Sequence, residues 1–248
     1  MEWQAPAVVL DIRPHGEAGL VVSLLTEAHG RHTGLAKGGA SRTQASLWQP
    51  GNLIEAKWVA RLAEQLGSLS AELVHAAAAL AMEDPLALGV LRAATSVAEA
   101  ALPEREAHPQ AFHGLVALVA TLARDAEQAV PELVRWEADL LADLGYGLDL
   151  ARCAITGSAD GLRYVSPRTG RAVSDQAAGE WRDRLLPLPP FLLGQGPSSP
   201  AEWLDGLRLT GHFLARDVFG TQHRPLPAAR GMLADRLAAL VAPPADLG

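Results

Sequence analysis

Between Ala28 and Ile54 the chain holds no carboxylate, while Arg31, Lys37, Arg42 and the imidazoles of His29 and His32 all fall inside that stretch. Cations without acidic neighbours suit phosphate. Each Lys or Arg that contacts a nucleic-acid backbone releases condensed counterions and steepens the salt dependence of binding by about one unit. Arg13, Lys57 and Arg61 flank the stretch, so the polyanion-binding candidates are Arg13, Arg31, His32, Lys37, Arg42, Lys57 and Arg61. Aromatic stacking partners are scarce, with only Trp3, Trp48 and Trp58 nearby, and Trp58 reads equally well as core. The expectation is therefore binding through the backbone, indifferent to base sequence. The plainer alternative is a solvated loop whose few positive charges are incidental.

A second acid-free stretch runs from Val218 to Ala234, with Arg224 and Arg230 around Leu226 and Arg216 just before it. An apolar spot rimmed by arginine suits an acidic peptide ending in an apolar residue and a free carboxylate, because the guanidinium fork binds carboxylate bidentately. An ordinary loop before a helix explains the same residues.

Other chemistry is thinly supported. Gly34-Leu-Ala-Lys-Gly-Gly39 lacks the Gly-Lys-Ser/Thr order of a phosphate-cradling loop and no helix follows it, so nucleotide hydrolysis is not expected. Cys153 is the sole cysteine. It allows no internal disulfide and no thiolate cluster, and no nearby residue is nominated as its activating base. The histidines are scattered without ligand spacing. No catalytic residue, metal or cofactor is expected.

The chain of 248 residues carries a formal charge of −7, so any nucleic acid must meet a local patch and not a uniformly basic surface. The acidity lies mainly beyond residue 75: residues 1–75 hold six Lys and Arg against seven Asp and Glu. Neither a leader-like N-terminus nor a run of roughly 20 apolar residues is present, which points to a soluble cytoplasmic protein.

Five short strand patterns must position the first patch: 6–12, 20–26, 31–37, 52–60 and 67–74, with Glu27 to Gly30 as a hairpin loop. Strict alternation across Asn52–Ala60 places Ile54, Ala56 and Trp58 on one face. Five strands with no helix among the first three predict a small barrel or sandwich. From residue 76 the spacing turns helical. Asp84-Pro85 is a helix start, Pro131 reads as the opening of a later helix, and Gly145 as its stop. Residues 151–174 read as a hairpin insert, 187–200 as a five-proline linker or surface loop, Ser199–Glu202 as a capping box, and 228–241 as a last helix. The predicted domains are 1–75, a β-barrel, and 76–248, helical with an irregular insert.

The order of pieces resembles the RecO family of bacterial recombination mediators, most closely its alphaproteobacterial members. The resemblance is carried by His15-Gly16-Glu17, Leu24-Leu25-Thr26, Gly30, Ala36-Lys37-Gly38-Gly39, Gln49-Pro50-Gly51, Cys153–Gly157, Tyr164–Val173 and Leu207–Phe213. It covers essentially the whole chain. It implies an α+β protein with an N-terminal OB-fold and an all-helical C-terminal domain. It also implies a non-enzymatic DNA repair role near the nucleoid. That role comprises binding of single- and double-stranded DNA, annealing of complementary strands without ATP, and loading of RecA onto DNA covered by single-strand-binding protein (SSB), with RecR and through it RecF. The SSB C-terminal tail would then be the acidic peptide for Arg216, Arg224, Leu226 and Arg230. Some members hold zinc with four cysteines in the insert. Here only Cys153 of the four remains and residues 154–175 hold no histidine, so no zinc is expected. The alternative is an OB-domain interaction scaffold with little DNA affinity of its own.

Overall fold

The computed structural model describes residues 1–62, 64–196 and 198–242. The chain forms two compact units, one over Met1–Ala129 and one from Val130 onward. Helices that follow the strands thus cluster with them in the first unit, whereas the sequence pattern alone changes at residue 75.

The first unit begins with β1 (Glu2–His15), β2 (Gly19–Thr26), β3 (Gly30–Ala36), β4 (Leu53–Val59) and β5 (Ser68–His75). The long β1 serves two neighbours. Its first half pairs antiparallel with β4, from Glu2 opposite Val59 to Val8 opposite Leu53. Its second half pairs with β2 as far as His15 opposite Gly19, with a bulge between Val9 and Asp11. A bulge bends the strand and raises its twist, which lets one strand turn the corner of a barrel. β2 pairs with β3 and β4 with β5, both antiparallel, and a parallel contact of β3 with β5 completes the ring β1-β2-β3-β5-β4. That cyclic order is the connectivity of an OB-fold.

The predicted alternation holds. Val22 and Leu24 of β2 and Ile54, Ala56 and Trp58 of β4 fill the barrel with Ala7, Val9, Leu20, Ala36, Trp48 and Leu69. Three helices, α1 (Ala77–Ala81), α2 (Pro85–Ala101) and α3 (Pro109–Leu122), complete this unit. α2 starts where expected, with the Asp84 carboxylate accepting from the Leu86 and Ala87 amides and Pro85 in the first turn. It packs on β1, which explains why Val8 and Leu10 are as buried as the barrel-facing Val9.

The second unit contains most of α4 (Ala126–Asp143). Pro131 does not open this helix but lies inside it. Asp125 caps the start instead, its carboxylate accepting from the Glu127 and Gln128 amides. Six residues in, the proline ring forfeits a single backbone hydrogen bond close to the helix start, which the capped first turn tolerates. Gly145 takes φ +88° just past the helix, as a left-handed stop requires.

The insert is a hairpin, as the sequence suggests: β6 (Leu162–Val165) pairs with β7 (Ala172–Ser174). A third strand, β8 (Leu186–Pro187), joins the other edge of β6. Over residues 187–193 the proline-rich segment is therefore packed and not a linker. It supplies that strand and a 3₁₀ turn at Pro190–Leu193, and it buries Leu188 and Phe191. Proline at a sheet edge loses no ladder bond that a neighbour would need, so the composition misleads about its packing. After α5 (Asp175–Ala178), α6 (Pro200–Phe213) begins with the expected capping box of Ser199 and Glu202 and passes into a π-helical turn at Leu214–Phe219. α7 (Ala228–Val241) ends the described chain.

One buried ion pair knits the second unit. Glu137 of α4 is fully buried and accepts from Arg230 of α7 at 2.7 and 2.8 Å, while the Arg230 Nη2 also donates to the Leu207 carbonyl of α6 and to Thr210. Each guanidinium bond is matched, so neither charge is stranded. Removing one partner strands the other. Glu137→Ala should destabilise this unit by about 3–5 kcal/mol. The double change Glu137→Leu, Arg230→Met should recover most of that loss in urea unfolding, and equal losses for both would overturn the pairing.

Candidate nucleic-acid interface

The acid-free loop is a built platform, not a loose tether. Trp48 sinks into the barrel at 1% exposure. The buried Asn52 amide donates to the Ser46 and Leu47 carbonyls, and its oxygen accepts from the Ala78 amide. Backbone bonds tie Ala40 to Ala18 and Gly51 to Val9. On this frame Lys37 and Arg42 are exposed and enter no ion pair among the described residues. Register places Arg13 opposite Val21, and Val21 opposite Leu35, so Arg13 shares the end of the β1–β2–β3 ribbon with Lys37.

The remaining candidates separate from these three. Lys57 projects from β4 opposite Gln4 and pairs with Glu2 at 2.6 Å, and Arg61 is exposed just past β4. Arg13 is itself exposed but touches Asp11 at 3.0 Å and Glu99 at 3.3 Å. Two candidates turn inward. Arg31 donates from Nε to the Leu102 carbonyl at 2.8 Å and from Nη1 to Glu99 at 3.3 Å, with its side chain only 19% exposed. It caps the carbonyl end of α2, where a cation is favoured. Its charge is matched by Glu99, which also accepts from Ser23. Burial raises the Glu99 carboxyl pKa against the opposing pull of Ser23 and Arg31.

His32 also turns inward: only 6% exposed, it has no hydrogen-bond partner on either ring nitrogen. Burial, and then the charge of Arg105, lower its pKa to about 4. At neutral pH it carries no charge to offer a phosphate.

His32 lies instead in an aromatic cluster that the sequence reading did not assemble. Trp3 stacks on His29 at 4.7 Å, and His32 stands edge-on to Trp3 at 5.2 Å and to Trp58 at 4.6 Å. The signal was present only in the pairing: Trp3 faces Trp58 across β1 and β4. Arg105 joins the cluster's rim through a contact no local pattern announces. Its amide donates to the Arg31 carbonyl at 2.7 Å, and the neighbouring Glu106 carbonyl sits where a Cβ on Gly30 would stand.

In the second unit the peptide-site candidates also divide. Arg230 is internal, held by Glu137, and does not rim a surface pocket. Arg216 is engaged with Asp217 and with the Pro167 and Arg168 carbonyls of the hairpin. Arg224 is exposed, donating to the Gln222 side chain, beside half-buried Leu226. Cys153 is buried, and its sulfur accepts from the Ser174 amide at 3.3 Å. Burial pushes the thiol up, but hydrogen bonds from Thr156 and Ser174 outweigh it and bring the pKa to about 6. Among the described residues no group of three or more His, Cys, Asp or Glu is gathered for a metal. None of their helices is long and apolar enough to cross a membrane.

Strand order and platform define the class: an OB-fold module that presents free cations, followed by a mostly helical part. Comparison with known proteins narrows it. The family described as Recombination protein O N terminal matches residues 1–77, and Recombination protein O C terminal matches residues 82–226. The chain is 61% identical to the DNA repair protein RecO of Granulibacter bethesdensis, over 97% of each chain. It is 57% identical to that of Gluconacetobacter diazotrophicus, over 97% of this chain and 96% of the relative. With that of Acidiphilium cryptum it shares 58% identity over 96% of each. The chain belongs to the RecO family.

The His32 assignment carries a pH signature. The unfolded chain takes up a proton near pH 6.5, whereas the folded imidazole takes it up near pH 4. Stability is therefore fully present above about pH 6.5 and falls as pH drops towards 4. His32→Phe should flatten part of that fall, read as a smaller difference between urea midpoints at pH 7 and pH 5. An unchanged difference would mean that His32 titrates alike in both states.

Proposed function

We propose that the chain is a non-enzymatic mediator of DNA repair and recombination that binds single- and double-stranded DNA through its barrel and anneals complementary strands without ATP. The observation that carries this reading is the anchored platform presenting Lys37 and Arg42 with no carboxylate between Ala28 and Ile54. Family membership over nearly the whole chain supports it. Residues 1–75 would be the DNA-binding domain and residues 76–248 the partner-binding one, acting in the cytoplasm at the nucleoid. RecR, with RecF through it, and the SSB tail are the proposed protein partners, and RecA loading the outcome.

The mechanism is electrostatic. Lys37 and Arg42, joined by Arg13, Arg61 and Lys57, neutralise phosphates and lower the repulsion between approaching strands. Arg31 and His32 contribute by holding the barrel, not by meeting DNA. With a net charge of −7 the protein should bind modestly and with strong salt sensitivity. Because so few cations are free, an OB-domain scaffold without useful DNA affinity is the second reading.

Anisotropy of a labelled single-stranded oligonucleotide across a salt series separates them. Binding should show a negative log-salt slope that Lys37→Glu, Arg42→Glu reduces by about two units. No binding even at low salt would leave the scaffold.

For the acidic tail, Arg224 is an exposed cation among the four candidates and lies two residues from the half-buried Leu226. Arg224→Glu should weaken binding of an SSB tail peptide about tenfold in calorimetry, in line with loss of a charge-assisted contact. Unchanged affinity would sink that placement.

A further inference from the structure

At the mouth of the barrel lies a pocket of about 310 Å³ lined by Met1, Glu2, Trp3, Ala28, His29, His32, Trp58 and Arg105. This is a small concave site of the size and composition that ligand pockets use, aromatic walls with a few polar groups. Four observations give it a chemistry. The Trp3 ring already accepts a flat heteroaromatic ring: His29 stacks on it at 4.7 Å and 16°. Three buried polar atoms of the walls, the Trp3 indole nitrogen and both ring nitrogens of His32, have no hydrogen-bond partner. Such atoms cost free energy when left unmatched, and, being buried, they meet a ligand's polar edge only if the walls part.

The third observation is charge. Glu2 is offset by Lys57 at 2.6 Å, and Arg105 stands at the rim with the Glu104 carboxylate also near enough to act on His32. The fourth is backbone. Arg105 holds φ at +64°, a conformation that costs a non-glycine residue free energy and that the fold imposes through its bond to Arg31. The chain thus spends stability to hold Arg105 at this rim.

We propose that the pocket captures one unstacked nucleobase of a single strand, stacked on the Trp3–His29 layer with its phosphate towards Arg105. The proposal rests on the reading of the barrel as a single-strand binder and adds a base contact at the hairpin end of the β2–β3 ribbon, opposite the end that carries Lys37. It predicts a dependence on the presence of bases, not on their identity, because every base has a π-face.

The test uses the full chain with two labelled probes of equal length and charge, oligothymidine and the same backbone with abasic sites. The parent protein should bind oligothymidine roughly tenfold more tightly, the worth of one stacked base, with equal salt slopes for both probes. Trp3→Ala should erase the preference and Trp3→Phe keep most of it. Equal affinity of the parent protein for the two probes overturns the pocket while leaving the phosphate patch standing, and so does a preference that survives Trp3→Ala. Absence of binding to either probe at low salt overturns both. The comparison on the parent protein needs no variant to fold.

Discussion

Closure of the barrel hangs on its shortest seam. Four of the five strand contacts are long antiparallel ladders, but β3 meets β5 in parallel over only Leu35 with Ser68 and Ala36 with Leu69, helped by the bond from the Leu35 amide to the Gly67 carbonyl. The seam works because side chains lie directly on its two glycines. A Cβ on Gly34 would stand 2.6 Å from the Leu69 side chain, and one on Gly67 would stand 2.4 Å from the Trp58 indole nitrogen. Trp58 then locks the seam from within by donating to the Leu66 carbonyl. Core, platform and aromatic mouth all presuppose this closure, since each is assembled from strands on both sides of it.

Within that frame, positive charge does two different jobs. Arg31 and Arg230 are spent internally, each fastening elements far apart in sequence and each matched by a carboxylate, Glu99 or Glu137. Lys37 and Arg42 stand outside on a loop held rigid by Trp48 and Asn52. Residue type alone does not separate these roles. What separates them is the presence of a distant acid in the folded chain.

That distinction marks how far the sequence could be read. The five strands, the Asp84 start of α2, the Ser199 capping box and the insert hairpin follow from local patterns, because alternation and capping are decided by residues within one turn or one ladder. Pro131 misled because the capping that starts α4 belongs to Asp125, a residue the proline signal outweighs. The 187–200 segment misled because Pro187 sits in an edge strand and Pro190 in a 3₁₀ turn, where proline is tolerated. The inward turn of Arg31 and Arg230 and the Trp3–His32–Trp58 cluster depend on partners as many as 93 residues away, as with Arg230 and Glu137. No local spacing encodes them.

The double duty of β1 has a consequence in time. Its first residues pair with β4, and the ring closes only when Ser68–His75 has been made. At about 5–20 residues per second, a growing chain carries β1 with an unfilled edge on the order of several seconds. Contacts of such long sequence separation also form slowly once available. During synthesis the hydrophobic face of Ala7–Leu10 is therefore exposed longest of any segment in the barrel. Demand for chaperone protection should fall early, while the first unit is being made.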